Sequence, residues 1–136
     1  MKKITYRVEV ILLVLWIPCV VLLFKLIPEK KVASVFTGVG FIALPTLFLI
    51  NEWLRKKAGS TFSKIYILIN MEFLLVLGLP IFLLRVFNWN SEFSQLSFMG
   101  VPAENLHKFS NANYMLVLLS AMWLAFKEWK NEKSRL

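Results

Sequence analysis

Four long apolar stretches, roughly Thr5 to Ile27, Val32 to Asn51, Ile65 to Phe87 and Asn111 to Phe126, constrain this chain more than any motif in it. The first three reach the ~20 residues that an α-helix needs to cross a hydrocarbon core of ~30 Å. The fourth run is shorter, but it extends upstream through Leu106 and Phe109 and downstream to Trp129. Its polar ends can therefore sit at the interfaces. With 58% hydrophobic residues in a chain of 136, one small aqueous core could not hide the apolar side chains. Lipid has to cover the excess. The expected fold is an all-α integral membrane protein, with four transmembrane helices at about 5–27, 32–53, 64–87 and 103–129 forming an antiparallel bundle in one domain.

Lys2 and Lys3 precede the first run as they would in a secretory signal. That run is too long, however, and Val20 to Ile27 reads VVLLFKLI where a small-residue cleavage site would be needed. A permanent helix is expected.

The formal charge of +8 is unevenly placed. Lys2, Lys3 and Arg7 stand at the start, Arg55, Lys56, Lys57 and Lys64 after the second run, and Lys127, Lys130, Lys133 and Arg135 at the end. The other two connections hold only Lys25, Lys30, Lys31, Arg85 and Lys108. By the positive-inside rule both termini and the central connection face the cytoplasm, and the compartment expected is a bacterial cytoplasmic membrane. Arg55, Lys56, Lys57, Lys64, Lys127 and Lys130 are then candidates to contact anionic lipid or a cytoplasmic protein partner. The aromatic residues among these clusters, such as Phe62 and Trp129, are too few for the stacking platform that a strand-binding groove requires, so direct nucleic-acid binding is not expected.

The first link, Pro28 to Lys31, is short enough to make neighbours of the first two spans. The second contains Ala58, Gly59, Ser60 and Thr61 and reads as a flexible turn. The third, Asn88 to Ser110, alternates polar residues with Trp89, Phe93, Leu96, Phe98 and Met99, a pattern that predicts a short interfacial helix. Gly100 should end it, and Pro102 suits the first turn of the next helix. Trp53 and Trp129 are expected at the inner boundary and Trp89 at the outer one.

Glu72 is the only charged side chain between Ile65 and Leu84. An ionisable group at membrane depth costs about 2.5 to 3.5 kcal/mol on insertion scales and marks a functional site by default. Arg7, Glu9, Asn51, Glu52 and Asn70 fall at similar depth, so an intramembrane polar cluster of these residues with Glu72 is expected. An Arg7–Glu72 pair or an Asn70–Glu72 network would lock the helices; a cation- or proton-binding carboxyl is the functional alternative. Pro18, Pro45 and Pro80 lie inside three spans and predict kinks. Ser34 with Gly38, Gly40 with Ala43, and Ala121 with Ala125 provide small residues for close helix packing. Four short helices enclose little volume, and a homo-oligomer is expected.

Catalytic chemistry finds few residues here. There is no aspartate, one histidine and one cysteine, which removes hydrolytic triads, HExxH sites, CxxC pairs and cysteine zinc sites. His107 reads as interfacial and Cys19 as a small buried hydrophobe. No catalytic residue, metal or cofactor is expected. In size and topology the chain is similar to four-span membrane components of bacterial phage-defence systems, a likeness that implies a membrane-sensor setting and transfers no residue roles. The expected function is a non-enzymatic membrane subunit that oligomerises and anchors or signals to a cytoplasmic partner. The alternative is a small oligomeric ion channel or proton-coupled transporter using Glu72.

Overall fold

The computed structural model describes residues 3–136, and four of its helices are long and apolar enough to cross a membrane. They are α1 (Tyr6–Leu26), α2 (Lys30–Lys57), α3 (Lys64–Phe87) and α4 (Ala103–Ser134). Helix α4 has 32 residues, about 48 Å at 1.5 Å per residue, so its charged last turns extend well past a ~30 Å core. Large apolar side chains such as Leu15, Val21, Leu68 and Leu119 are exposed, while Glu9, Asn51, Glu52, Arg55 and Asn70 are buried. This inverts the pattern of a water-soluble fold and suits a lipid-covered surface.

Each helix begins and ends for a local reason. Glu29, after Pro28, precedes α2 in extended backbone. Arg55, Lys56 and Lys57 occupy its last turn, where cations complement the helix dipole. Gly59, with φ of 66°, then reverses the chain. Its N–H donates to the Lys56 carbonyl at 3.1 Å, and the Ser60 N–H donates to the Arg55 carbonyl at 2.9 Å. These are the two bonds of a Schellman cap, which favours glycine at that position. The link expected to be flexible is thus a hydrogen-bonded helix stop. Ser63 starts α3, its hydroxyl accepting the Tyr66 N–H at 3.2 Å.

The prolines act differently from one another. Helices α1 and α2 run through Pro18 and Pro45 without a break in helical conformation. In α3 the α-helical Lys64–Glu72 gives way to a π-helical segment, Phe73–Gly78, before α-helix resumes at Leu79–Phe87. The Leu79 N–H donates to the Leu74 carbonyl five residues back. Pro80 has no N–H to continue the regular ladder, and a widened turn just before it accommodates the loss.

The third connection differs from the expected interfacial helix. It forms a single 3-10 turn, Phe93–Gln95, followed by a two-residue hairpin in which Ser97 pairs with Pro102 and Phe98 with Val101. Met99 and Gly100 at its tip both have positive φ, the geometry of a tight hairpin turn, which Gly100 makes accessible. The Ala103 N–H then donates to the Leu96 carbonyl at 2.9 Å, seating the start of α4.

Helix α1 packs on α2 and α4, and α3 packs on α2 and α4. An aromatic group of Phe41, Phe73 and Tyr114 fills the middle, with ring centroids 5.6 to 6.2 Å apart, inside the range for favourable aromatic contact. The Tyr114 hydroxyl donates to the Leu13 carbonyl, joining α4 to α1. Gly40 faces the Trp16 indole and Gly38 faces Phe82, each so close that a Cβ would collide. Gly78, which the sequence did not single out, lets α3 approach the Phe41 carbonyl of α2. Ala121 is buried, Ala125 packs against the core, Ser34 bonds back to the Lys31 carbonyl, and Ala43 is exposed.

Candidate functional site

Tyr6, Glu9 and Leu13 on α1, and Tyr66, Asn70, Phe73 and Leu77 on α3, recur at spacings of three and four, which puts each set on one inward helix face. Asn51, Glu52 and Arg55 close the inner face of α2. The first turns of α1 and α3, the last two turns of α2, and Glu128 of α4 meet in one buried polar cluster.

Asn51 holds the chain just before α1 by both of its amide groups. The Ile4 N–H donates to Asn51 Oδ1 at 2.8 Å, and Asn51 Nδ2 donates to the Ile4 carbonyl at 3.1 Å. The same Nδ2 donates to Glu9 Oε1 at 2.6 Å, and the Tyr66 hydroxyl donates to Glu9 Oε2 at 2.7 Å. Glu9 is 0% exposed, with both oxygens hydrogen-bonded and no ion pair to a cation among the described residues. A buried carboxyl of this kind is tolerable only because donors converge on it.

Arg55, 3% exposed, is the hub of the second half. Its Nη2 donates to the Ile4 carbonyl at 2.6 Å and to Glu128 Oε1 at 3.1 Å. Its Nε lies 3.9 Å from Glu52 Oε1, and the guanidinium sits 3.8 Å from the centroid of the Tyr6 ring. Glu52 Oε2 accepts the Ser63 N–H at 2.8 Å, and Glu128 Oε2 accepts the Tyr6 N–H at 3.0 Å. The first N–H groups of a helix lack intrahelical acceptors. Here Glu128 supplies one for α1, and Glu52 reaches the N-cap residue of α3. Among the described residues, the buried charges other than Glu9, which are Glu52 and Arg55, are thereby spent on holding backbone at one end of the molecule.

Of the six residues expected to share a polar cluster, Glu9, Asn51 and Glu52 do so, and Asn70 adjoins them. Asn70 Nδ2 donates to the Tyr66 carbonyl at 2.9 Å, while its Oδ1 has no partner among the described residues and borders a small apolar cavity with Phe48 and Tyr114. Arg7 does not pair with Glu72. It bridges to Glu132 at 2.5 Å, with both side chains about half exposed, a contact of little energetic weight. Glu72 itself is exposed on the outer face of α3. Successive helix residues turn by 100°, so Glu72 points away from the Tyr66, Asn70, Phe73 and Leu77 face.

Within the basic set, Arg55 is buried in the cluster, whereas Lys56, Lys57, Lys64, Lys127 and Lys130 are exposed. Tyr6, Tyr66 and Glu128 were absent from the sequence expectations, although the inward spacing of Tyr6 with Glu9, and of Tyr66 with Asn70, marks two of them. Cys19, expected to be buried, is exposed on α1, because it falls outside the Tyr6, Glu9 and Leu13 face. His107 is exposed, and no group of three metal-ligating side chains occurs among the described residues. No family model matches the chain, and no curated protein or solved structure proved similar to it.

Proposed function

We propose that the chain is a non-enzymatic subunit of a bacterial cytoplasmic membrane, an antiparallel four-helix bundle with both termini inside, which self-associates and anchors or signals to a cytoplasmic protein. The observation that carries this reading is the use of the buried and partly buried charges. Glu52, Arg55 and Glu128 hold the backbone of Ile4, Tyr6 and Ser63, which makes a rigid platform of the end where the positive-inside rule places the cytoplasm. Exposed Lys56, Lys57 and Lys130 project from that end and supply a cationic rim for an acidic partner surface.

Self-association is supported by Glu72. Its carboxyl is eight residues along α3 from Lys64, about 12 Å at 1.5 Å per residue, and it faces outward among exposed Leu68, Leu75 and Val76. Contact with lipid there is costly, and a neighbouring copy would cover it. The same exposure favours a second reading, a channel or proton-coupled transporter whose path runs between copies past Glu72.

Glu72→Gln separates the two when oligomer size in detergent and ion flux in proteoliposomes are measured together. The anchoring reading expects a smaller or less stable oligomer and no flux in either protein. Flux in the parent that disappears in an intact Glu72→Gln oligomer would establish the transport reading instead.

A further inference from the structure

A groove of about 850 Å³ opens between the start of α3 and the last turns of α4. On the α4 side its wall is one helical stripe: Ser120, Trp123, Leu124, Lys127, Asn131 and Arg135 recur at the three- and four-residue spacing that keeps side chains on a single face. The stripe changes character along its length. Trp123 and Leu124 lie toward the apolar middle of the helix, and Lys127 and Arg135 lie toward its charged end. Across the groove the same order holds, with Ile65 inward and Lys64 outward, and Lys3 closes the outer end, where it bonds the Ser60 hydroxyl.

The two carboxylates in the lining are already engaged, Glu128 by Arg55 and Glu132 by Arg7. Among the described residues, Lys3, Lys64, Lys127 and Arg135 have no ion-pair partner. The groove therefore presents four unneutralised cations above an apolar strip, at the level where four membrane-crossing helices leave the hydrocarbon. We propose that this groove is a binding site for one anionic phospholipid, with its phosphate among Lys3, Lys64, Lys127 and Arg135 and an acyl chain along Trp123, Leu124 and Ile65. A soluble phosphate compound would use only the cationic half. A lipid uses both halves, in the order in which they occur.

The inference relies on the membrane-crossing reading and, only for which leaflet supplies the lipid, on the proposed orientation; no partner protein enters it. The test is a titration of the purified full-length protein in neutral detergent, read by native mass spectrometry. The probes are phosphatidylglycerol, phosphatidylcholine with the same acyl chains, and inorganic phosphate. One phosphatidylglycerol should be retained in preference to phosphatidylcholine. Each basic residue near a charged headgroup is worth roughly fivefold in binding, so Lys64→Gln with Lys127→Gln should weaken retention about 25-fold. The control Lys108→Gln with Lys133→Gln removes the same charge outside the groove and should change it less than about twofold. All four lysines are exposed, and each variant's elution volume confirms its fold. Trp123→Ala should weaken lipid retention as well. Equal losses in both double variants, equal retention of the two lipids, or displacement by inorganic phosphate at the same concentration as lipid would each overturn the proposal.

Discussion

Replacing Arg55 with methionine keeps most of the side-chain volume and removes the guanidinium from a site that is 3% exposed. The variant loses the bonds to the Ile4 carbonyl and Glu128, the 3.9 Å approach to Glu52, and the stacking on Tyr6. Glu128 can turn toward water through its exposed fraction. Glu52, 1% exposed, cannot, and it is left as a buried carboxylate with no cation. Removing one partner of a buried ion pair costs about 3 to 5 kcal/mol, and that is the expected loss of unfolding free energy in a sodium dodecyl sulfate titration. Adding Glu52→Gln to Arg55→Met should recover at least ~1 kcal/mol, since contacting residues couple by about 0.5 to 3 kcal/mol. Glutamine removes the stranded charge and still offers an oxygen to the Ser63 N–H. A loss below ~1 kcal/mol for Arg55→Met, or a further loss on adding Glu52→Gln, would refute the assignment of Arg55 as the counter-charge of the cluster.

Three other substitutions probe separate parts of the account. Tyr66→Phe removes the hydroxyl that donates to Glu9 Oε2 and should cost about 1 to 3 kcal/mol in the same titration, the penalty for a buried acceptor left unpaired. Gly40→Ala drives a methyl group into the Trp16 indole; overpacking of this kind costs about 1 to 3 kcal/mol, and a loss of Trp16 packing should show as a shift in tryptophan emission. Gly59→Ala meets no atom within 4 Å, so its whole effect should come from the left-handed backbone, about 1 to 2 kcal/mol, with the emission spectrum unchanged.

Hydropathy made the four spans legible, because apolar length is a property of composition and needs no knowledge of helix face. The same reasoning misplaced Glu72, whose isolation in an apolar run says nothing about direction. The inward face of α3 is written in Tyr66, Asn70, Phe73 and Leu77, spaced four, three and four, and Glu72 lies off it. Arg55 was hidden in the opposite way: beside Lys56 and Lys57 it reads as part of a solvated basic cluster, and only its spacing from Asn51 and Glu52 separates it. The partner of Arg7 depended on how far α4 continues beyond its apolar run, since Glu132 is reached only by a helix that extends to Ser134. The hairpin at Met99 and Gly100 was obscured by an alternating pattern that fits an amphipathic helix or a short strand equally well.

The central claim, that inward-facing polar side chains lock the starts of α1 and α3 into one platform, is tested most directly by amide hydrogen exchange at Ile4 and Tyr6 in bilayer-reconstituted protein. Both N–H groups precede the α1 hydrogen-bond ladder, and their acceptors are the side chains of Asn51 and Glu128. No helical bond can protect them in place of the cluster. The account predicts protection of both amides by about 100-fold or more over an unstructured peptide, lost when Arg55 becomes methionine. Exchange of both at the unstructured rate in the parent protein would contradict it.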